Sequence, residues 1–192
     1  DILLIASSFE EESLITASAG RREGAKTTDN SHYPLGIAYL HSYLESRGHG
    51  VDSLFPNNYA FSICLELVAE AAKQYRPTII GLQILTPNRV SSYRLIEYLH
   101  ENHPDIQLVI GGMHVTIMPR QLIEEYPYLI AVPGEGEITF GELADALALG
   151  ETDLTKIDGL VMNQNGTVVT TKPRALIADL DTLPLPKHEL FF

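Results

Sequence analysis

The feature that most constrains the fold is a set of five short apolar runs, each separated from the next by a segment with helical periodicity. A continuous apolar run bounded by turn residues is typical of a strand buried on both faces of a parallel sheet. Strands that alternate with helices predict an open, doubly wound α/β sheet. The five predicted strands are Ile2–Ala6, Val51–Phe55, Thr78–Leu82, Leu108–Ile110 and Leu129–Val132.

The segments between these runs have apolar residues spaced three and four positions apart, as on one face of an α-helix. Glycines at 48 and 150 follow two of the apolar stripes and predict helix ends, and Pro119 suits a first helical turn. The pattern predicts a five-stranded parallel sheet of the Rossmann or flavodoxin type, with strand order 2-1-3-4-5. The helical stripes are Ile37, Leu40 and Leu44; Leu65, Val68, Ala69 and Ala72; Leu95, Ile96 and Leu99; Leu122 and Ile123; and Phe140, Leu143, Ala144 and Leu147.

The pattern changes after Gly150. Two β-type runs flank Asn165-Gly166, which is a strong hairpin signal. The prolines of residues 183–188 disfavour a helix and predict an extended linker. We therefore divide the chain into residues 1–151, the α/β domain, and residues 152–192, a hairpin and linker.

Charge and composition exclude several classes of function. The 192 residues carry a formal net charge of −12, so nucleic-acid binding by this chain is not expected. Its one cysteine, Cys64, lies on a helical apolar face and predicts a small buried side chain rather than a disulfide or a cysteine-ligated metal. No apolar run is long enough to cross a bilayer, and the start does not look like a signal peptide, so we expect a soluble cytoplasmic protein.

Small, hydroxyl-bearing and glycine residues collect after strands 1, 3, 4 and 5, where an open α/β sheet binds its ligands. Glycines allow close approach to the backbone, and free N–H groups suit phosphate. The connection from Ser7 to Tyr33 also leaves this edge and is unusually long. We therefore predict a binding site there, formed by Ser7, Ser8, Gln83, Thr86, Gly111, Gly112, His114, Thr116, Gly134 and Glu135.

Each of these features also has a purely structural interpretation. Gly111-Gly112 suits a tight strand-to-helix turn, and Thr86 before Pro87 suits the start of a helix. The acidic residues after Gly134 suit a helix N-terminus. We expect five other histidines to be surface or helix-end residues: His41, His49, His100, His103 and His188.

No catalytic motif is present. The sequence lacks Gly-x-Ser-x-Gly and the phosphate-binding Gly-x-x-x-x-Gly-Lys, and no Gly-x-Gly-x-x-Gly follows strand 1. A phosphoacceptor receiver domain would need an Asp after strand 3 and a Lys after strand 5. The chain has Gln83 and Pro133 near those points, so that class is excluded.

An ordered set of short motifs resembles a known family. The set covers nearly the whole chain from residue 34, and its strength lies in the order rather than in any single motif. It resembles the N-terminal cobalamin (vitamin B12)-binding region of cobalamin-dependent radical SAM enzymes. The motifs are Pro34-Leu-Gly-Ile-Ala-Tyr-Leu, Gly48-His-Gly-Val, Ile80-Gly-Leu-Gln, Gly111-Gly-Met-His-Val-Thr, Gly134-Glu-Gly-Glu-Ile-Thr-Phe, Ile157-Asp-Gly-Leu, Pro173-Arg-Ala and Asp179-Leu-Asp-Thr-Leu-Pro-Leu-Pro.

The resemblance implies a cobalamin whose corrin lies over the carboxyl ends of the strands and whose nucleotide tail runs beside strands 3 and 4. It places Gln83, Thr86, Gly111, Gly112, His114 and Thr116 along the tail, and Gly134 and Glu135 near the corrin edge. Gln83 departs from the serine that is frequent at its position. A side chain at Gly112 is expected to collide with the tail.

The resemblance also implies a longer parent enzyme with a C-terminal radical SAM barrel, a 4Fe-4S cluster and S-adenosylmethionine, used for methyl transfer or another radical step. The cluster motif Cys-x-x-x-Cys-x-x-Cys is absent from this chain, so we expect it to bind but not to catalyse. The alternative is a degenerate docking domain that has lost cobalamin.

The axial ligand of cobalt is a separate question. Cobalamin-dependent mutases carry Asp-x-His-x-x-Gly after strand 1, whereas this chain has Asn30-Ser-His-Tyr-Pro-Leu-Gly. The glycine is one residue late and the Asp is replaced by Asn30, which weakens His32 as a ligand because the Asp would orient the His. We therefore expect no protein side chain on cobalt.

Overall fold

The structure, a computed structural model, describes residues 1–9 and 33–191 and contains a single twisted sheet. The first five strands are parallel and stand in the order β2-β1-β3-β4-β5, which confirms the predicted topology. The strands are β1 (Ile2–Ala6), β2 (Val51–Leu54), β3 (Ile79–Gln83), β4 (Gln107–Gly111), β5 (Ile130–Val132), β6 (Val161–Gln164) and β7 (Thr167–Thr170).

Helices cover both faces of this sheet, because side chains alternate between the faces along each strand. Leu4 and Val109 pack with α1 and α6 on one face, whereas Leu3 and Ile80 pack with α2, α3 and α5 on the other. Within residues 1–9 and 33–191, no helix is long and apolar enough to cross a membrane. The helices are α1 (Leu35–Ser46), α2 (Phe61–Tyr75), α3 (Arg89–Asn102), α4 (Met113–Ile117), α5 (Pro119–Glu125) and α6 (Glu137–Ala148).

The strand register brings the carboxyl ends of the central strands to one level. Gln83 at the end of β3 pairs with Ala6 of β1 and with Gly111 of β4, and Gly111 pairs with Val132 of β5. The residues that follow these four positions therefore share one edge of the sheet, called here the carboxyl rim.

The predicted hairpin forms and extends the main sheet to seven strands. Asn165 and Gly166 both have positive φ, at 53° and 83°, as a two-residue hairpin turn requires. β6 pairs antiparallel with β5 through Ala131 and Val161. The hairpin thus shares its hydrogen bonding with the α/β domain, although the proposed division near residue 152 stays a prediction.

The segment after the hairpin, residues 172–191, is mostly extended and packs against helices α1 and α6. We call it the C-terminal strap. Arg174 pairs with Glu142 of α6, and Lys187 pairs with Glu45 of α1. The imidazole Nδ1 of His188 lies 2.8 Å from the hydroxyl of Tyr33. Contacts at both ends therefore hold the strap against α6 and α1.

The structure corrects the prediction that His41 is a surface residue. His41 is only 2% exposed, because its position on α1 faces β2. Its Nδ1 lies 2.7 Å from the Ser53 hydroxyl, and its Nε2 lies 3.4 Å from a Glu45 carboxylate oxygen. Burial lowers the pKa of His41 and outweighs the opposing effect of Glu45.

Cys64 is a residue of α2 and is fully buried in the core, as its apolar surroundings in the sequence predicted. Burial raises the pKa of its thiol to about 11, since the thiolate is disfavoured away from water. Cys64 is therefore a packing residue.

Candidate functional site

A cavity of about 290 Å³ opens at the carboxyl rim, between the sheet and helices α1 and α6. We call it the slot. Both helices follow strands whose carboxyl ends form the rim, so their N-terminal turns border its mouth. The lining residues are Leu4, Gly36, Ile37, Leu40, Gly81, Leu82, Gln83, Val109, Gly111, Gly112, Val132, Gly134, Glu135, Gly136, Glu137 and Phe140.

The floor of the slot is apolar and tightly packed. Leu4, Gly81 and Val109 are paired neighbours at the middle of β1, β3 and β4. A Cβ on Gly81 would lie 2.8 Å from Leu4 Cδ2 and 3.0 Å from Phe140 Cε2, so the Phe140 ring rests close to the strand backbone. Only a glycine at position 81 lets this ring close the floor.

The mouth of the slot is spanned by Gln83. A Cβ on Gly36 of α1 would lie 3.3 Å from the Gln83 Nε2, and a Cβ on Gly112 would lie 3.2 Å from its Cγ. The Gln83 side chain thus extends from β3 toward α1 between two glycines. Its carboxamide makes no hydrogen bond to any residue that the structure describes, although it can both donate and accept.

The loop after β4 needs glycine at position 112 for a reason internal to the protein. Gly112 has φ 98° and ψ 177°, a conformation that is essentially restricted to glycine. A Cβ there would lie 2.7 Å from the backbone oxygen of Ile84. The sequence suggested that a side chain here would collide with the ligand. In the structure it would already collide with Ile84, the residue that follows β3, when no ligand is bound.

Thr116 connects the loops that follow β4 and β5. Its hydroxyl accepts a hydrogen bond from the Gly134 N–H at 2.9 Å and donates one to the Gly112 carbonyl at 3.0 Å. A single side chain therefore holds two glycine-containing loops of the rim in register.

We expect Thr116→Val to loosen this connection, because valine keeps the shape but removes the hydroxyl. One lost hydrogen bond of this kind corresponds to about 1 kcal/mol, or roughly a fivefold faster exchange of the Gly134 amide hydrogen. Nuclear magnetic resonance of the exchanging amides measures this directly. Thr116→Ser, which retains the hydroxyl, should protect Gly134 as the parent chain does, and equal exchange in the two variants would contradict the connection.

Two acidic side chains border the slot beside α6. The Glu135 carboxylate accepts a hydrogen bond from the Ile177 N–H of the C-terminal strap at 2.6 Å. Burial raises the pKa of Glu137, and the negative charge of Glu135 adds to the shift. Glu137 lies one helical turn above Phe140, so its carboxylate belongs to the mouth of the slot rather than to its floor.

Half of the residues predicted for the site line the slot: Gln83, Gly111, Gly112, Gly134 and Glu135. The serines after β1 are turned into the protein instead. The Ser7 and Ser8 side chains are buried; the Ser7 Oγ lies 2.5 Å from the Ser92 Oγ, and Ser8 donates to the Tyr59 carbonyl at 2.5 Å. These contacts attach the end of β1 to α3 and to the segment after β2.

Thr86 and His114 lie beside the slot's rim but outside its lining. Thr86 opens a short 3-10 turn before α3, and its hydroxyl lies 3.4 Å from the His114 Nδ1. The His114 Nε2 lies 2.7 Å from the Tyr93 hydroxyl. Burial lowers the pKa of His114, and the positive charge of Arg89 adds to this. That Thr86, His114 and Thr116 contact the cofactor stays a prediction.

The possible axial ligand His32, with its neighbour Asn30, lies outside the residues that the structure describes. The same applies to most of the long connection that begins at Ser7. The prediction of no protein ligand on cobalt therefore stays a prediction.

Sequence reasoning missed the wall that the helices contribute to the slot. Gly36, Ile37 and Leu40 come from α1, Phe140 comes from α6, and Gly136 is the N-cap residue of α6. A partial signal was available in the apolar stripes, because Ile37, Leu40 and Phe140 were predicted to lie on the buried faces of their helices. Nothing local indicated that Phe140 would lie over Gly81.

The family model described as the B12 binding domain matches residues 24–144. Among curated proteins, an uncharacterized methyltransferase of Pyrococcus horikoshii is 35% identical over 158 residues, which cover 82% of this chain and 34% of that protein. An anaerobic magnesium-protoporphyrin IX monomethyl ester cyclase of Rubrivivax gelatinosus is 32% identical, over 78% of this chain and 28% of that protein. The chain thus spans about a third of the length of these relatives.

Among solved structures, the cobalamin-dependent S-adenosylmethionine radical enzyme OxsB, with aqua-cobalamin and S-adenosylmethionine bound, has the same fold over 97% of this chain and 24% of its own. The TM-score is 0.72 and the sequence identity is 19%. At that identity the likeness concerns the fold.

Proposed function

We propose that this chain, which belongs to the B12-binding domain family, binds cobalamin at the carboxyl rim. The nucleotide tail of the cofactor would lie in the slot. The observation that carries the proposal is the slot itself. It is an open cavity at the edge where doubly wound sheets bind ligands. Glycines of the first turn of α1 and of the loops after β4 and β5 line it, so no side chains from these positions fill it.

The slot's residues fit the tail chemically. The tail ends in a flat heterocycle, and the slot offers apolar walls above the Phe140 floor. At its mouth is the Gln83 carboxamide, which has no hydrogen-bonding partner within residues 1–9 and 33–191. Pockets for small molecules are typically of this kind, largely apolar with a few convergent polar groups. Its volume of about 290 Å³ suits the tail rather than the whole cofactor.

The phosphate of the tail has a suitable position at the N-terminus of α1. Pro34, the N-cap of this helix, makes no side-chain cap, and its first turn contains no acidic residue. The N–H groups of Leu35 and Ile37 already donate to the carbonyls of Tyr33 and Pro34, so the helix dipole and the Gly36 N–H are what this N-terminus offers an anion. Helix α6 is less suitable because Glu137 occupies its first turn.

The corrin would lie over the rim outside the slot. Three large apolar side chains there are exposed, namely Leu35 at 46%, Met113 at 62% and Ile117 at 68%. A broad macrocycle with apolar faces would cover such side chains. Cobalamin supplies cobalt-centred chemistry, and the residues of this chain hold its tail and leave the corrin accessible from the rim.

The reaction would belong to the longer polypeptide. We propose that residues 1–151 carry cobalamin, and that residues 152–192 lead to a radical SAM barrel with a 4Fe-4S cluster and S-adenosylmethionine. The two relatives described above are a methyltransferase and a cyclase, so this domain is compatible with more than one reaction. Methyl transfer is the reaction we propose for the parent.

Titration of the purified chain with hydroxocobalamin tests the proposal. We expect a saturable change in the visible absorbance with one cofactor per chain. Binding to the folded state should also raise the free energy of unfolding, by about 2.7 kcal/mol when free cobalamin is a hundredfold above Kd. A folded chain that shows neither effect would contradict cobalamin binding and favour a docking domain.

A further inference from the structure

The slot is chemically divided along its depth. Its polar side chains, Gln83, Glu135 and Glu137, border the mouth, whereas Leu4, Val109 and Phe140 form the floor. Glu135 is already bonded to the strap through the Ile177 N–H. A heterocycle that enters the slot therefore meets polar groups at one edge and apolar side chains around the rest.

Natural corrinoids differ in the base that ends the nucleotide tail. Dimethylbenzimidazole, the base of cobalamin, has one free ring nitrogen and an apolar edge with two methyl groups. Adenine has an exocyclic amine and ring nitrogens distributed around its perimeter. A polar atom that is buried without a hydrogen-bonding partner loses its hydration without compensation, so adenine is the more costly base to place on an apolar floor.

We propose that the slot selects corrinoids by their lower base and prefers a benzimidazole to adenine, with Gln83 as the specificity-determining residue at its polar edge. This inference rests on the proposed function. Gln83 is suited to the role because its carboxamide reaches across the mouth toward α1 and has no partner among the residues described. One carboxamide can satisfy one polar edge, which matches the single free nitrogen of benzimidazole.

The selection is tested by measuring the affinities of three corrinoids for the whole chain. Absorbance or calorimetry detects the binding. The three are cobalamin, the corresponding cobamide with adenine as its base, and cobinamide, which has no nucleotide. We expect cobalamin to bind about tenfold or more tightly than the adenine form, the cost of one buried unsatisfied group. Cobinamide should bind more weakly than cobalamin, since it leaves the slot empty.

Gln83→Met tests the specificity-determining residue, because methionine is similar in length and unbranched but cannot form the hydrogen bond. We expect cobalamin affinity to fall roughly fivefold, while cobinamide affinity stays unchanged because cobinamide has no base to recognise. A merely structural role of Gln83 would weaken both.

Leu40→Gln tests the apolar wall. Leu40 is a half-buried residue of α1 that lines the slot, and glutamine is a good helix former, so the helix should be retained. The added amide gives adenine a partner and should narrow the preference for cobalamin. Circular dichroism of each variant checks that it is folded.

The outcomes separate the two proposals. Failure of all three corrinoids to bind would overturn the proposed function. Cobalamin and the adenine form binding within about threefold of each other, or the adenine form binding more tightly, would overturn the selection and leave cobalamin binding intact. An equal loss of cobalamin and cobinamide affinity in Gln83→Met would overturn the role of Gln83.

Discussion

Gly112→Ala is expected to destabilise the protein by ~3 kcal/mol or more, before any ligand is added. Two costs combine at this position. The backbone conformation, φ 98° and ψ 177°, is essentially restricted to glycine, and the new Cβ would lie 2.7 Å from the Ile84 carbonyl oxygen. A backbone atom cannot move aside cheaply, so the loop after β4 must shift.

Urea unfolding followed by circular dichroism measures this loss, and Gly134→Ala is the matched control. Gly134 also has positive φ, at 80°, but its Cβ would have no neighbour within 4 Å. The control should therefore cost only about 1 kcal/mol, the backbone term alone. Equal losses in the two variants would show that the contact with Ile84 contributes nothing.

This expectation changes how Gly112 can be used as a test of the site. A variant at Gly112 that fails to bind cobalamin does not distinguish a blocked slot from a distorted loop. A position is needed where the fold accepts a side chain and the slot does not. Gly136 meets both conditions.

Gly136→Leu is expected to weaken cobalamin binding about 30-fold or more while the fold is retained. Gly136 lines the slot and has an ordinary helical conformation, φ −88° and ψ −18°. Its Cβ would lie 3.7 Å from Val132 Cγ1, an ordinary contact, so the leucine would extend into open space. That space is where we place the nucleotide tail.

The measurement is the same absorbance titration, with two comparisons. Gly136→Ser adds a much smaller side chain and should weaken binding less. Ala148→Leu adds leucine to the exposed end of the same helix, outside the slot, and should leave binding unchanged. Full affinity in Gly136→Leu, with the variant folded, would place the tail elsewhere.

The architecture could be predicted from the sequence because the patterns that indicate strands and helices are local. Apolar runs mark buried strands, and a 3.6-residue period marks helices that pack on them, so β1 to β5 and their order followed from pattern and topology rules. Asn165-Gly166 predicted its hairpin for the same reason, since both residues readily adopt positive φ. That this hairpin would pair with β5 required knowing which sheet edge was free.

The sequence also predicted the edge of the sheet at which we propose that cobalamin binds, and only the tertiary structure decided which residues line the slot there. Gln83, Gly111, Gly112, Gly134 and Glu135 line the slot because strand register brings their loops to one level. Ser7 and Ser8 stand at the same edge, but α3 and the segment after β2 take up their hydroxyls. Side-chain direction depends on what packs beside a strand end, which no local pattern encodes.

The slot itself is the clearest product of tertiary structure. Its walls come from α1 and α6, helices roughly a hundred residues apart in the chain that pack on the same face of the sheet. Its depth is set where Phe140 rests on Gly81. The sequence by itself determined the strands and their order. Packing between distant elements decided the cavity at the predicted binding edge, because a cavity is the space that several elements leave unfilled.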